Sequence, residues 1–357
     1  MRGGLIAAVI VLCAGMVSSC AGTTSQHSTG SGAPAAPTAT AIRPTATLPP
    51  SGQPFPGTTQ VFSDPTSGAE PAEITLGPDG NLWFAEANKA QIGRITPQGA
   101  ITEWPLPDSL SFVPIAPEGI TAGPDGNVWF VEGDVGRIGR LSPAGVLAEF
   151  FVLPPEADTS FGGALAEGTD GNLWFTIADK DQIGRISPQG TITLFTLPQH
   201  AGASTPTGIA AGPSGTLWFT EAGANRVGRI SRQGTITEFP LPRPDADPTH
   251  ILTGADGNLW FTESNKSAVA RITPGGAVTE YAVHGTPLAL AFDDLRHCIW
   301  FTLSGGTSGI GVILPDRTIR EYTLPASAPA PNNITFGPDG ALWYTGDNDI
   351  VRLSFTT

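Results

Sequence analysis

The sequence predicts an all-β fold, a seven-bladed β-propeller of four-stranded antiparallel blades, and three observations carry that prediction. Trp83, Trp129, Trp174, Trp218, Trp260, Trp300 and Trp343 recur at spacings of 46, 45, 44, 42, 40 and 43 residues. Each sits in nearly the same phrase: NLWFAE, NVWFVE, NLWFTI, TLWFTE, NLWFTE, CIWFTL and ALWYTG. Each interval has room for four short strands set off by turn residues, and a period of about 40–45 residues with four strands per repeat is the mark of a propeller.

The second repeat shows how the elements follow in order. Gly119 to Gly123 is a small-residue inner strand, suited to the crowded axis of a ring, and Pro124-Asp125-Gly126-Asn127 is a tight turn. Val128 to Val131 is an unbroken apolar run, as expected of a strand covered on both faces by neighbouring blades. Arg137 to Leu141 forms the third strand, Ser142 to Gly145 a second turn, and Val146 to Val152 the outer strand. The turn glycines supply the positive φ that such bends need. The glycine of the IGRI phrase (Gly93, Gly139, Gly184, Gly228) is expected to leave room for a neighbouring blade's ring. The arginine after it, present in six of seven repeats, is expected to lay its stem over aromatics.

The last repeat ends on its third strand, Asp349 to Ser354, whereas Thr59 to Ser63 resembles an outer strand and precedes the first inner one. The N-terminal strand is therefore expected to complete the seventh blade and close the ring, leaving no open edge.

Ahead of the propeller, assigned to 55–357, lie two further segments. Residues 1–19 combine Arg2, a short apolar run from Leu5 to Val17, and Val17-Ser18-Ser19-Cys20. The run is too short for a membrane span but suits a signal peptide. The ending resembles the lipobox of bacterial lipoproteins, which implies lipidation of Cys20 and export to the outer side of the cell membrane. Residues 20–54 are almost entirely Ala, Thr, Pro, Ser and Gly and are expected to form a disordered tether, glycosylated or not. Cys298 is then the only thiol left in the mature domain, read as a buried apolar residue, so no disulfide framework is expected. A formal charge of −14 argues against nucleic acid as a partner, and a monomer is expected.

The repeat GPDGNLWFTE, QIGRITPQG and ITEFPLP, in that order from about Thr58 onwards, closely resembles the streptogramin B lyase (virginiamycin B lyase) family. That resemblance implies a seven-bladed propeller that opens a cyclic depsipeptide by elimination at its ester, with Mg2+ and a histidine base. The family places Pro-His at the start of the inner strand in each of its last two blades. Here those histidine positions hold Leu288 and Asn332, and the Glu ahead of the second Pro becomes Ala330. Only Asp347 matches a family carboxylate. Neither Leu nor an Asn amide can act as a general base.

The remaining polar residues of that face are Glu73, Glu118, Thr249, His250, Asn332 and Asn333, expected at the channel mouth, and Glu86, Glu132, Glu221 and Glu263, expected on a rim beside arginines or water. His250, Asn332 and Asp347 are the candidates for chemistry. Glu73, Glu118, Thr249 and Asn333 are the candidates for ligand binding, and Asp347 and Glu73 for a metal. Three functions remain open on these residues. The first is an extracellular module binding a small molecule, glycan or peptide. The second is a Mg2+-dependent lyase, and the third a metal-dependent sugar-lactone hydrolase, for which Glu73 and Asn333 lack a companion Asp.

Overall fold

The computed structural model describes residues 48–107, 117–151, 163–305 and 309–355. The signal segment, Cys20 and most of the tether lie outside these residues. Seven antiparallel sheets follow one another along the chain. In blade four the inner strand is Pro206–Ala211, the second Leu217–Glu221, the third Arg226–Ile230 and the outer Ile236–Pro240. The other blades repeat this order. In blade seven, Gly57–Ser63 lies antiparallel along the full length of Asp349–Phe355, with Gln60 opposite Arg352.

Every repeat tryptophan is fully enclosed, at 0–1% exposure, and the reason lies in its phrase. In blade one the Asp79 carboxylate accepts the Trp83 indole N–H at 2.9 Å. Trp104 stacks on the indole at 5.0 Å, and the Arg94 guanidinium lies over both rings at 5.4 and 5.0 Å. The same aspartate, indole, aromatic and arginine recur in blades two and three. Trp218 packs in one cluster with Ile251, Leu259 and Phe261 of the next blade, so each indole is a wedge between sheets.

The third-strand glycine does a different job from the one its position suggests. A Cβ on Gly228 would lie 2.1 Å from the Phe219 ring, which belongs to the same blade and not to a neighbour. The glycine admits the phenylalanine of the adjacent second strand.

Seven residues read as tether, Leu48 to Pro54, instead run along blade six. Gln53–Pro54 pairs in parallel with Tyr322 and Thr323, and the Pro49 carbonyl accepts from Tyr322 Oη at 2.8 Å and Arg320 Nη1 at 3.0 Å. Backbone pairing needs no particular side chain, so a composition of Pro, Ser and Gly does not reveal it. Cys298 is buried and its thiol is pushed up to about 12 by that burial, which leaves it inert.

Candidate functional site

The inner strands surround a cavity of about 590 Å3, lined by Glu73, Glu118, Thr249, His250, Leu288, Asn332 and Asn333 among others. A repeated irregularity brings these residues there. In blade one, Pro71 faces Glu86 and Ile74 faces Phe84, so Ala72 and Glu73 together oppose a single residue. The same two-residue bulge falls at Glu118-Gly119, Thr207-Gly208, Thr249-His250 and Leu288-Ala289. Bulges re-aim side chains beside functional sites. Here Glu73 and His250 share the second bulge position, and Glu118, Thr249 and Leu288 share the first.

A bulge frees backbone groups that must find partners, and the threonine of the WFT phrase supplies them. Thr262 Oγ1 accepts from His250 N at 3.0 Å and donates to the Leu288 carbonyl of the next blade at 3.4 Å. Thr302 accepts from Ala289 N and donates to the Asn332 carbonyl, and Thr345 accepts from Asn333 N and donates to the Ala72 carbonyl. Thr176 and Thr220 repeat the pattern. These hydroxyls stitch neighbouring blades around the channel. Ala85 and Val131 break the series in blades one and two, and there Glu73 Oε2 accepts from Ile120 N of the next blade at 3.0 Å. Asn333 Oδ1 accepts from Ile74 N in the same way at 3.3 Å. One oxygen each of Glu73 and Asn333 therefore already joins blades.

The electrostatics of the channel are dominated by desolvation. Burial pushes the Glu73 carboxyl from 4.5 up to about 7, opposed by the Ile120 N–H and reinforced by the Glu118 charge. Burial also drives His250 from 6.5 down to about 4, and its Nδ1 has no partner among the described residues. Its imidazole is neutral at pH 7 and a weak base. Thr249 Oγ1 lies 2.7 Å from Thr262 Oγ1 and 3.3 Å from Ser264 Oγ.

Asp347 does not join this group. It is exposed, in a left-handed turn at φ 46°, and does not line the cavity. Leu288 and Asn332 do line it, as the register of the resemblance requires, but they bring an alkyl group and an amide. Mg2+ requires an octahedral shell rich in oxygen, usually with one or two carboxylates. Leu288, Ala330, Asn332 and a remote Asp347 do not supply one, so the residues present do not fit the metal expected from the resemblance. Nor does any Asp line the cavity among the described residues, which leaves Glu73 and Asn333 without the third ligand of a lactonase set.

The four glutamates expected on a rim are instead fully buried at the ends of the second strands. Glu132 pairs with Arg137 at 2.5 Å, Glu86 accepts from Gln91 at 2.8 Å, and Glu263 pairs with Arg243 at 3.1 Å. Among the described residues neither carboxylate oxygen of Glu221 has a hydrogen-bond partner of good geometry. The loops entering the inner strands of blades four and five pack on these strand ends, as where Ala222 N donates to the Thr205 carbonyl and Arg243 reaches Glu263.

A family model described as the virginiamycin B lyase family matches residues 56–294. A solved streptogramin B lyase is 33% identical over 84% of this chain and 98% of its own, with a TM-score of 0.76. A catalytically inactive histidine-to-alanine variant of the virginiamycin B lyase of Staphylococcus aureus, solved with quinupristin, is 31% identical over 84% and 99%, with a TM-score of 0.75. A putative gluconolactonase, 16% identical over 86% and 97% with a TM-score of 0.52, shares the fold alone. No curated protein matches the chain.

Proposed function

The chain belongs to the virginiamycin B lyase family, and from that premise we propose that it is an exported, lipid-anchored propeller that binds an extracellular ligand at its channel mouth without the family's elimination chemistry. The observation that carries the reading is the pairing of Leu288 and Asn332 at the two histidine positions of the resemblance with an intact cavity around them. A relative whose histidine is replaced by alanine is described as catalytically inactive, and His250 is too weak a base to take over. Export and anchoring rest on the signal-like segment ending at Cys20.

The cavity favours a ligand that presents a cationic or hydrogen-bond-donating group. Glu73 and Glu118 meet there from adjacent blades, and Thr249 and the Asn332 amide line the same cavity. Convergent polar groups in an otherwise apolar cleft are the usual form of a small-ligand site. The test is a screen of cell-envelope glycans and peptides against the protein and its Glu118→Gln and Thr249→Val variants. Ligands that bind the protein and are lost from both variants support the reading. Ligands that bind all three equally place binding elsewhere and overturn it.

A further inference from the structure

Blade four holds a second group of polar side chains, away from the channel cavity and unused by the reading above. Glu221 closes the second strand and is fully buried, and among the described residues neither of its oxygens accepts a hydrogen bond of good geometry. The Ser204 hydroxyl lies close enough to favour its charge without completing one. Glu238, on the outer strand, has one oxygen 2.8 Å from His200 Nε2 and the other buried without a partner among the described residues. One ligating atom from each of the three residues lies within 4.8 Å of the others.

The repeats of the chain show what such a pair of carboxylates takes. In blade five the equivalent residues, Glu263 and Glu280, close on the guanidinium of Arg243 at 3.1 and 2.7 Å. Arg243 comes from the incoming loop, after Leu241-Pro242; the matching loop into blade four reads Leu197-Pro198-Gln199-His200. Where blade five sets the guanidinium of Arg243 between its two glutamates, blade four sets the imidazole of His200, one residue further along the loop, against Glu238. In blade three Ile177 and Leu194 occupy the two carboxylate positions, so the pair is absent there as a unit. Around Glu221, Glu238 and Asp181 oppose one nearby guanidinium, Arg226.

We propose that His200 Nε2 and the carboxylates of Glu221 and Glu238 form a site for a divalent cation of the zinc type. An imidazole with two carboxylates suits zinc, with bonds of about 2.0–2.2 Å. The exposure falls from 22% at the His200 side chain through 9% at Glu238 to none at Glu221, so the ion enters past His200 and water completes its shell. The acidic group Asp64, Glu86 and Glu103 in blade one differs. There Thr66 N, Gln91 Nε2 and Thr66 Oγ1 each already serve one of the three acids, and no imidazole joins them.

The test uses the metal-stripped full chain titrated with zinc chloride by calorimetry, and with cobalt chloride by visible absorption. One zinc should bind per chain, and Co2+ should show the intensified bands of a site lacking a centre of symmetry. His200→Ala and the isosteric Glu221→Gln should each weaken zinc binding by about a hundredfold or more, exceeding what loss of a mere outer partner costs. His284→Ala, which removes an exposed imidazole paired with Glu321, should leave it unchanged. Melting curves of the metal-free variants show that they fold. Absence of saturable zinc binding overturns the proposal, as does binding that survives both His200→Ala and Glu221→Gln or that is lost in His284→Ala instead.

Discussion

Trp218→Ala tests the claim that the indoles are the wedges of the ring. The side chain is fully enclosed, stacks on Phe239 at 5.4 Å and 11°, and has the Arg229 guanidinium over it at 5.5 Å. Its N–H donates to Thr216 Oγ1 at 3.1 Å. Truncating a buried aromatic to alanine costs about 3–5 kcal/mol. The stacked pair adds about 0.5–1.5 kcal/mol and the cation about 0.5–1 kcal/mol. These terms overlap, and a total near 5 kcal/mol is expected, a large part of the roughly 5–15 kcal/mol that holds a domain together. Because Trp218 packs against blade five as well as its own blade, the loss should appear as one cooperative shift of the whole ring. The assay is urea unfolding followed by circular dichroism, with Val61→Ala, at a 40% exposed position, as a control expected to stay within about 0.5 kcal/mol. A loss below about 1 kcal/mol for Trp218→Ala, or a separate early transition, would refute the wedge reading.

Two further perturbations follow from the buried acids and from the ring's closure. Burial raises Glu73, Glu86, Glu221 and Glu263 from 4.5, and Asp64 from 3.8, to about 7. The folded state therefore holds these protons more tightly than the unfolded chain, and the stability so gained is full below about pH 4 and lost as pH rises through 7. Burial would raise Asp79, Asp125, Asp170 and Asp256, but hydrogen bonds, joined by arginines at all but Asp170, lower them net, and their contribution is lost only as pH falls below 3.8. The melting temperature should fall between pH 5 and pH 8, and a rise over that interval would contradict the assignment. Removal of residues 1–62 strips the outer strand from blade seven and takes Phe62 from its stack on Trp343 at 5.6 Å. It should lower the melting temperature sharply and expose a bare strand edge, whereas removal of residues 1–47 should leave it unchanged; equal melting of the two truncations would sink the closure.

The ring was legible in the sequence because its determinants are local and repeated. An aspartate four residues before most of the tryptophans, a glycine before that turn and an arginine on the third strand build one indole socket, and they recur with the period. The threonine of WFT was equally visible, at Thr176, Thr220, Thr262, Thr302 and Thr345. Its use was not, because a strict strand alternation conceals a bulge in which two residues face one. That bulge places His250 in register with Glu73 and apart from Leu288, and only paired backbones reveal it. The buried state of Glu221 and Glu263 was hidden for a related reason. The loops that pack on them, such as Leu197 to Thr205, come from the preceding blade, and no local pattern reports that contact.

The most direct test of the account is chromatography of quinupristin incubated with the protein and Mg2+. No ring opening beyond a protein-free blank is expected, with Leu288 and Asn332 where the resemblance requires histidines. Ring opening that EDTA abolishes, or that disappears in His250→Ala, would contradict it.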